Sequence, residues 1–91
     1  MSDAERLKQH LDHAEVNGDF TEAVLHLDDG SRLCFCHRVE ERFAKAVGPQ
    51  DAETEPGHAQ EILASIERFR LNRKHLEIFF QDASRWDEPL R

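Results

Sequence analysis

Residues 25–33 read LHLDDGSRL, an Asp-Asp-Gly-Ser turn flanked by alternating apolar residues, and this stretch restricts the fold more than any other. Alternation with period two sends successive side chains to opposite faces of a strand. Asp-Gly between such runs is hairpin chemistry, because glycine reaches positive φ without a steric penalty. Two loop lengths compete. A two-residue Asp29-Gly30 turn sets Leu25 opposite Cys34 and leaves Leu33 beside His26. A three-residue loop, with Gly30 left-handed in a bulge, sets Leu25 opposite Leu33 and Ala23 opposite Phe35. Only the bulged loop collects Ala23, Leu25, Leu27, Leu33 and Phe35 on one face, with Val24, His26, Arg32, Cys34 and Cys36 on the other. A slip of one residue would exchange every side chain between faces, so the bulged register is the expected one.

The same pattern returns later. Residues 78–86, IFFQDASRW, align without a gap on residues 25–33. Leu25, Leu27, Asp29, Ser31, Arg32 and Leu33 fall on Ile78, Phe80, Asp82, Ser84, Arg85 and Trp86. Each hairpin follows a helical pattern, so the chain reads as two α-β-β units in an internal pseudo-repeat. The competing explanation is that any apolar-turn-apolar hairpin looks alike. Ala83 stands where the first unit has Gly30, and alanine costs roughly 1 kcal/mol or more in a left-handed position. The second turn is therefore expected to depart from the first.

Around these hairpins the remaining elements follow from spacing. Ser2 or Asp3 can cap a first helix over 3–16, with Leu7, Leu11 and Ala14 at i, i+4 and i+7. Val39, Phe43 and Ala46/Val47 mark a short helix over 39–47, stopped by Gly48-Pro49. The acidic, Pro- and Gly-bounded stretch 48–57 reads as a mobile surface loop. Ile62, Leu63, Ile66 and Phe69 give a third helix over 58–71. With hairpins over 20–38 and 75–88, the expected fold is α+β. In it, two α-β-β-like units form one mostly antiparallel sheet of about four strands, with helices packed on one face. Ninety-one residues fit a single domain.

Composition sets limits on function. The chain is 38% hydrophobic and 34% charged with a net charge of −7, which argues against general binding to a phosphate backbone. Nothing approaches the ~18–20 apolar residues of a membrane span. The charged N-terminus, MSDAERLKQHLDHAE, lacks the apolar segment of a secretory signal. These features point to a cytoplasmic protein in a reducing compartment, where Cys34 and Cys36 are thiols rather than a disulfide.

Four candidate sites remain. In the first, Cys34 and Cys36 share a strand face roughly 6.5–7 Å apart, within reach of one metal. His37 points the other way, and His26 on the neighbouring strand is the better third ligand. No fourth ligand is evident, and buried cysteine commonly serves as a small apolar residue. The second is the basic run Arg68, Arg70, Arg73, Lys74 and His75, a candidate anion surface that the end of a helix would also explain. In the third, Asp28, Asp29 and Asp82 sit at turns, where carboxylates bond their own backbone. His10 and His13 share a helical face that is otherwise polar.

The fourth is the sheet face opposite the helices. There Val24, His26, Cys34, Cys36 and Phe79 form a mildly apolar surface suited to a protein partner or a homodimer. No nucleophile motif, phosphate loop or acid–base pair is visible, so the sequence favours an interaction or regulatory domain over an enzyme, and no cofactor is indicated.

Overall fold

The computed structural model describes residues 1–49, 57–73 and 75–89. Its elements are α1 (Asp3–His10), β1 (Leu11–Val16), β2 (Glu22–Leu27), β3 (Arg32–His37), β4 (Arg42–Val47), α2 (Gly57–Ala64), β5 (Ile66–Leu71), β6 (His75–Phe80) and β7 (Arg85–Pro89). The class is α+β. In place of one four-stranded sheet, the described residues form two antiparallel sheets, β1-β2-β3-β4 and β5-β6-β7.

The first hairpin has the bulged register. Leu25 pairs with Leu33 and Ala23 with Phe35, and Gly30 has φ +88°. The second turn does not depart from it. Ala83 has φ +72°. In both turns the left-handed residue donates its N–H three residues back, from Gly30 to Leu27 and from Ala83 to Phe80. Closure by Leu27–Ser31 and Phe80–Ser84 backbone bonds is also common to the two. The cost of alanine there is offset by the hydrogen bonds that the turn makes to a distant helix, described below.

Both long helices expected from the sequence are shorter. The span 3–16 divides into α1 and β1, and the span 58–71 into α2 and β5. Just past each helix, the first strand carries a β-bulge at an equivalent place, between Leu11 and His13 and between Ile66 and Arg68. A bulge lets two consecutive residues oppose one. Leu11 and Ala14, or Ile66 and Phe69, then face the core although three residues separate them. The spacing Leu7-Leu11-Ala14 thus imitates a helix while crossing a helix–strand junction.

Residues 39–47 are not a helix either. Arg38 and Glu41 exchange backbone hydrogen bonds around a tight turn, and β4 runs back along β3 with Phe35 opposite Ala44 and Leu33 opposite Ala46. Those two small inward residues give α2 room to rest on β4. The loop expected over 48–57 lies largely outside the described residues.

Each helix packs on the sheet that it does not directly precede. Helix α1 rests on β6 and β7, and α2 on β3 and β4. Ala4, Leu7, Ala59 and Ile62 join the inward faces of both sheets in one buried cluster, and Phe35 meets Phe69 edge-on across the sheets at 5.0 Å. The free edge of β5 is covered by side chains from the other sheet. Arg42 donates to the carbonyl of Phe69, and His37 Nδ1 donates to that of Leu71 at 3.1 Å. Covering an edge in this way removes a template for strand pairing.

The exchange extends to the helix caps. Asp29 Oδ2 accepts from the N–H of His58 at 2.8 Å, and Ser31 Oγ from that of Ala59 at 3.1 Å. In the other half, Asp82 Oδ2 accepts from Asp3 N–H at 2.8 Å and Ser84 Oγ from Ala4 N–H at 3.1 Å. Each Asp-x-Ser turn therefore satisfies the orphan donors of a helix far away in sequence. Burial pushes the Asp29 carboxyl up. Hydrogen bonds from the Ser31 hydroxyl and the His58 and Ser31 N–H groups outweigh it, holding the group at about 2. The Ser84 hydroxyl, with the Asp3 and Ser84 N–H groups, likewise holds Asp82 below the ordinary carboxylate range.

Candidate functional site

The outward face of the four-stranded sheet is built in rows. Glu22, Cys36 and Phe43 face one another across β2, β3 and β4, and beside them lie Val24, Cys34 and Lys45. These six line a shallow depression of about 220 Å³. Val24, Cys34 and Phe43 are half-buried, whereas Cys36 is 3% exposed. The Cys36 thiol points at the Glu41 carbonyl, 3.8 Å away, so the β3–β4 turn covers it. Both cysteines are free thiols.

His26 lies within the next row, between Arg32 on β3 and His13 on β1. The two imidazole rings stack 4.2 Å apart and 9° from parallel. Glu15 reaches both of them. Its Oε1 is 3.6 Å from His13 Nε2, and its Oε2 is 3.5 Å from His26 Nε2. His26 Nε2 is buried and has no hydrogen-bond partner among the described residues. His13 Nδ1 lies 2.8 Å from Asp12 Oδ2.

The residues expected to form one surface are therefore divided. Val24, His26, Cys34 and Cys36 share the outward face of the first sheet. Phe79 belongs to β6 in the other sheet, where the Arg68 guanidinium covers its ring at 4.0 Å. His26 does not gather the two cysteines as ligands. Its nearest potential ligands are His13 and Glu15, and neither cysteine joins a cluster of ligand atoms among the described residues.

The basic run lies on a strand rather than at a helix end. Phe69 and Leu71 point inward, while Arg68 and Arg70 point outward. Arg70 is opposite Glu77. Farther along that face, Arg85 lies 3.8 Å from Glu77 and 3.2 Å from Asp87. Arg73 is exposed in the turn before β6, and Lys74 lies outside the described residues. Acidic side chains thus accompany the arginines, which weakens an anion surface there.

Two further groups place ligand atoms within 4.8 Å of one another, His10/Asp28/His58 and His75/Glu77/Asp87. His10 and His58 stack at 4.0 Å where the end of α1 meets the start of α2. The reading of residues 3–16 as one helix concealed the His13–Glu15 pair. Strand alternation of His13-Ala14-Glu15 was the signal that could have shown it.

No helix among the described residues is long and apolar enough to cross a membrane. No family model matches the chain, and no curated protein or solved structure is significantly similar to it.

Proposed function

We propose that the protein is a small interaction domain that forms a homodimer through the outward face of its four-stranded sheet. The observation that carries this reading is the apolar trough of Val24, Cys34, Cys36 and Phe43 on an otherwise charged chain. Half-buried apolar side chains grouped on one face gain by losing their remaining contact with water. The rim supports a second copy as the occupant. Glu22 and Lys45 carry opposite charges on opposite sides of the trough, and a two-fold contact can use both complementary pairs. The two free thiols fit a reducing, cytoplasmic setting.

The scaffold behind this face is read as an internal pseudo-repeat of two helix-plus-hairpin units. Its support is the shared hydrogen-bond pattern at the Asp29-Gly30-Ser31 and Asp82-Ala83-Ser84 turns, together with the paired bulges.

A dilution series followed by amide NMR tests the dimer. Backbone signals of Val24, Cys34 and Phe43 should shift with protein concentration in the wild type and stay constant in Val24→Glu. Signals that do not move over the whole concentration range would refute the reading.

A further inference from the structure

We infer that His13, Glu15 and His26 form a site for a single first-row divalent cation, for which Zn²⁺ is the natural probe. This goes beyond the proposed dimer and does not depend on it, since all three donors belong to β1 and β2 of one chain.

The bulge between Leu11 and His13 sets the register that puts His13 directly across from His26. Glu15, two residues along the same strand, projects from the same side. Its carboxylate oxygens stand 3.6 Å from His13 Nε2 and 3.5 Å from His26 Nε2. Contacts of that length are poor hydrogen bonds. They fit another purpose, because ligands about 2.0–2.15 Å from a tetrahedral metal lie roughly 3.3–3.5 Å from one another. The three ligand atoms lie within 4.8 Å of one another, and the stacked imidazoles, 9° from parallel, would have to turn out of their stack for both Nε2 lone pairs to meet one ion.

Two details make the group more than a surface cluster. Among the described residues the buried His26 Nε2 has no hydrogen-bond partner, and such an atom is costly unless something satisfies it. On the other imidazole, Asp12 Oδ2 accepts a hydrogen bond from His13 Nδ1 at 2.8 Å. That bond keeps the proton on Nδ1 and leaves the lone pair on Nε2, as carboxylates do behind metal-bound histidines.

The donor set also selects among ions. Two imidazole nitrogens and one carboxylate suit Zn²⁺ and its first-row neighbours, whereas Mg²⁺ and Ca²⁺ take oxygen ligands. Three protein ligands leave a fourth position for water or an external ligand. The openness of the site allows this, since the His13 and Glu15 side chains are 52% and 65% exposed.

The other two histidine–carboxylate groups are weaker candidates. His10 Nδ1 already lies 3.2 Å from Asp28 Oδ2, and Arg85 already pairs with both Glu77 and Asp87. Arg32, opposite His26, is the cation that a bound metal must tolerate. Its side chain is exposed and free to extend into solvent.

The test is titration of tag-free, chelator-treated protein with Zn²⁺ by calorimetry, combined with imidazole ¹⁵N NMR. One equivalent should bind, with the Nε2 signals of His13 and His26 moving together. Affinity should fall at least about tenfold in His13→Ala, His26→Ala and Glu15→Gln, and about tenfold in Asp12→Asn. His75→Ala should bind as the wild type does. Glu15→Gln and Asp12→Asn change exposed, nearly isosteric groups, so they report even if His26→Ala does not fold. Absence of Zn²⁺ binding at micromolar concentrations would overturn the site. So would affinity unchanged in Glu15→Gln and His13→Ala, or signals that move only at His10 and His58.

Discussion

The two halves of the molecule use one set of connections in different surroundings. At the turn that holds α2, Ser31 is fully buried, Asp29 half-buried, and Gly57 closes against both. At the turn that holds α1, Ser84 is half-buried and Asp82 exposed. Helix α1 also has a cap of its own, because Ser2 Oγ accepts from Glu5 N–H at 3.1 Å. The outward faces differ as well. On the three-stranded sheet Arg68 covers Phe79, and Glu77, Arg85 and Asp87 neutralise one another. On the four-stranded sheet the apolar trough stays half-exposed, and among the described residues His26 Nε2 has no hydrogen-bond partner, with Glu15 Oε2 3.5 Å away. The same bonds should contribute more where water is excluded, and the proposed dimer contact and cation site both fall on the four-stranded sheet.

The most severe test of that contrast is Gly57→Ala. Gly57 has φ +72°, and an added Cβ would come within 2.8 Å of Asp29 Oδ2 and 2.9 Å of Ser31 Cβ. Left-handed strain together with overpacking should cost about 2–4 kcal/mol, measured by urea unfolding. Next in size is Ser31→Ala, which removes a buried acceptor from Ala59 N–H and should cost about 1–3 kcal/mol. Ser84→Ala should cost less, about 0.5–1.5 kcal/mol. If the two serine variants are equally destabilised, burial does not set the difference between the turns.

Acid acts on both turns in the same direction, because Asp29 and Asp82 are both held below the ordinary carboxylate range. The Asp29 carboxyl sits at about 2 in the folded protein against a reference value of 3.8. A depressed folded-state value means that the stabilisation is complete above 3.8 and disappears as pH falls toward 2. Unfolding midpoints measured across that window should drop in the wild type and drop less steeply in Asp29→Asn, where Asp82 still contributes. The smallest effect is expected from Ala83→Gly, which relieves a left-handed alanine but loosens the unfolded chain. A net gain of up to about 1 kcal/mol is predicted, and Gly30→Ala should move stability the other way.

Much of the fold was legible where local chemistry and burial agree. Asp29-Gly30 and the alternation around it define the first hairpin down to its register, and Leu25, Leu33, Phe35, Ile78, Phe80 and Trp86 are all core residues. What misled was spacing. Leu7-Leu11-Ala14 and Ile62-Ile66-Phe69 both show the helical i, i+4, i+7 pattern, yet each runs from a helix into a bulged strand. Val39, Phe43 and Ala46 imitate a helix for a different reason. Phe43 faces outward, Ala46 lies opposite Leu33, and Val39 sits exposed at the turn.

The site suffered from the same error. His26 was placed on the cysteine face from strand alternation alone. The helical spacing of residues 3–16 hides His13 and Glu15, and Phe79 falls on a shared surface only if the two hairpins form one sheet, whereas they belong to two. The exchange of helices between sheets is a long-range arrangement, and local periodicity carries no record of it.

Sedimentation velocity on three proteins tests most directly the claim that the outward faces are unequal. The account predicts concentration-dependent dimerisation of the wild type, a folded monomer for Val24→Glu, and wild-type association for Phe79→Glu, whose site lies on the self-neutralised sheet. A wild type that stays monomeric at high concentration, or a dimer abolished by Phe79→Glu and untouched by Val24→Glu, would contradict it.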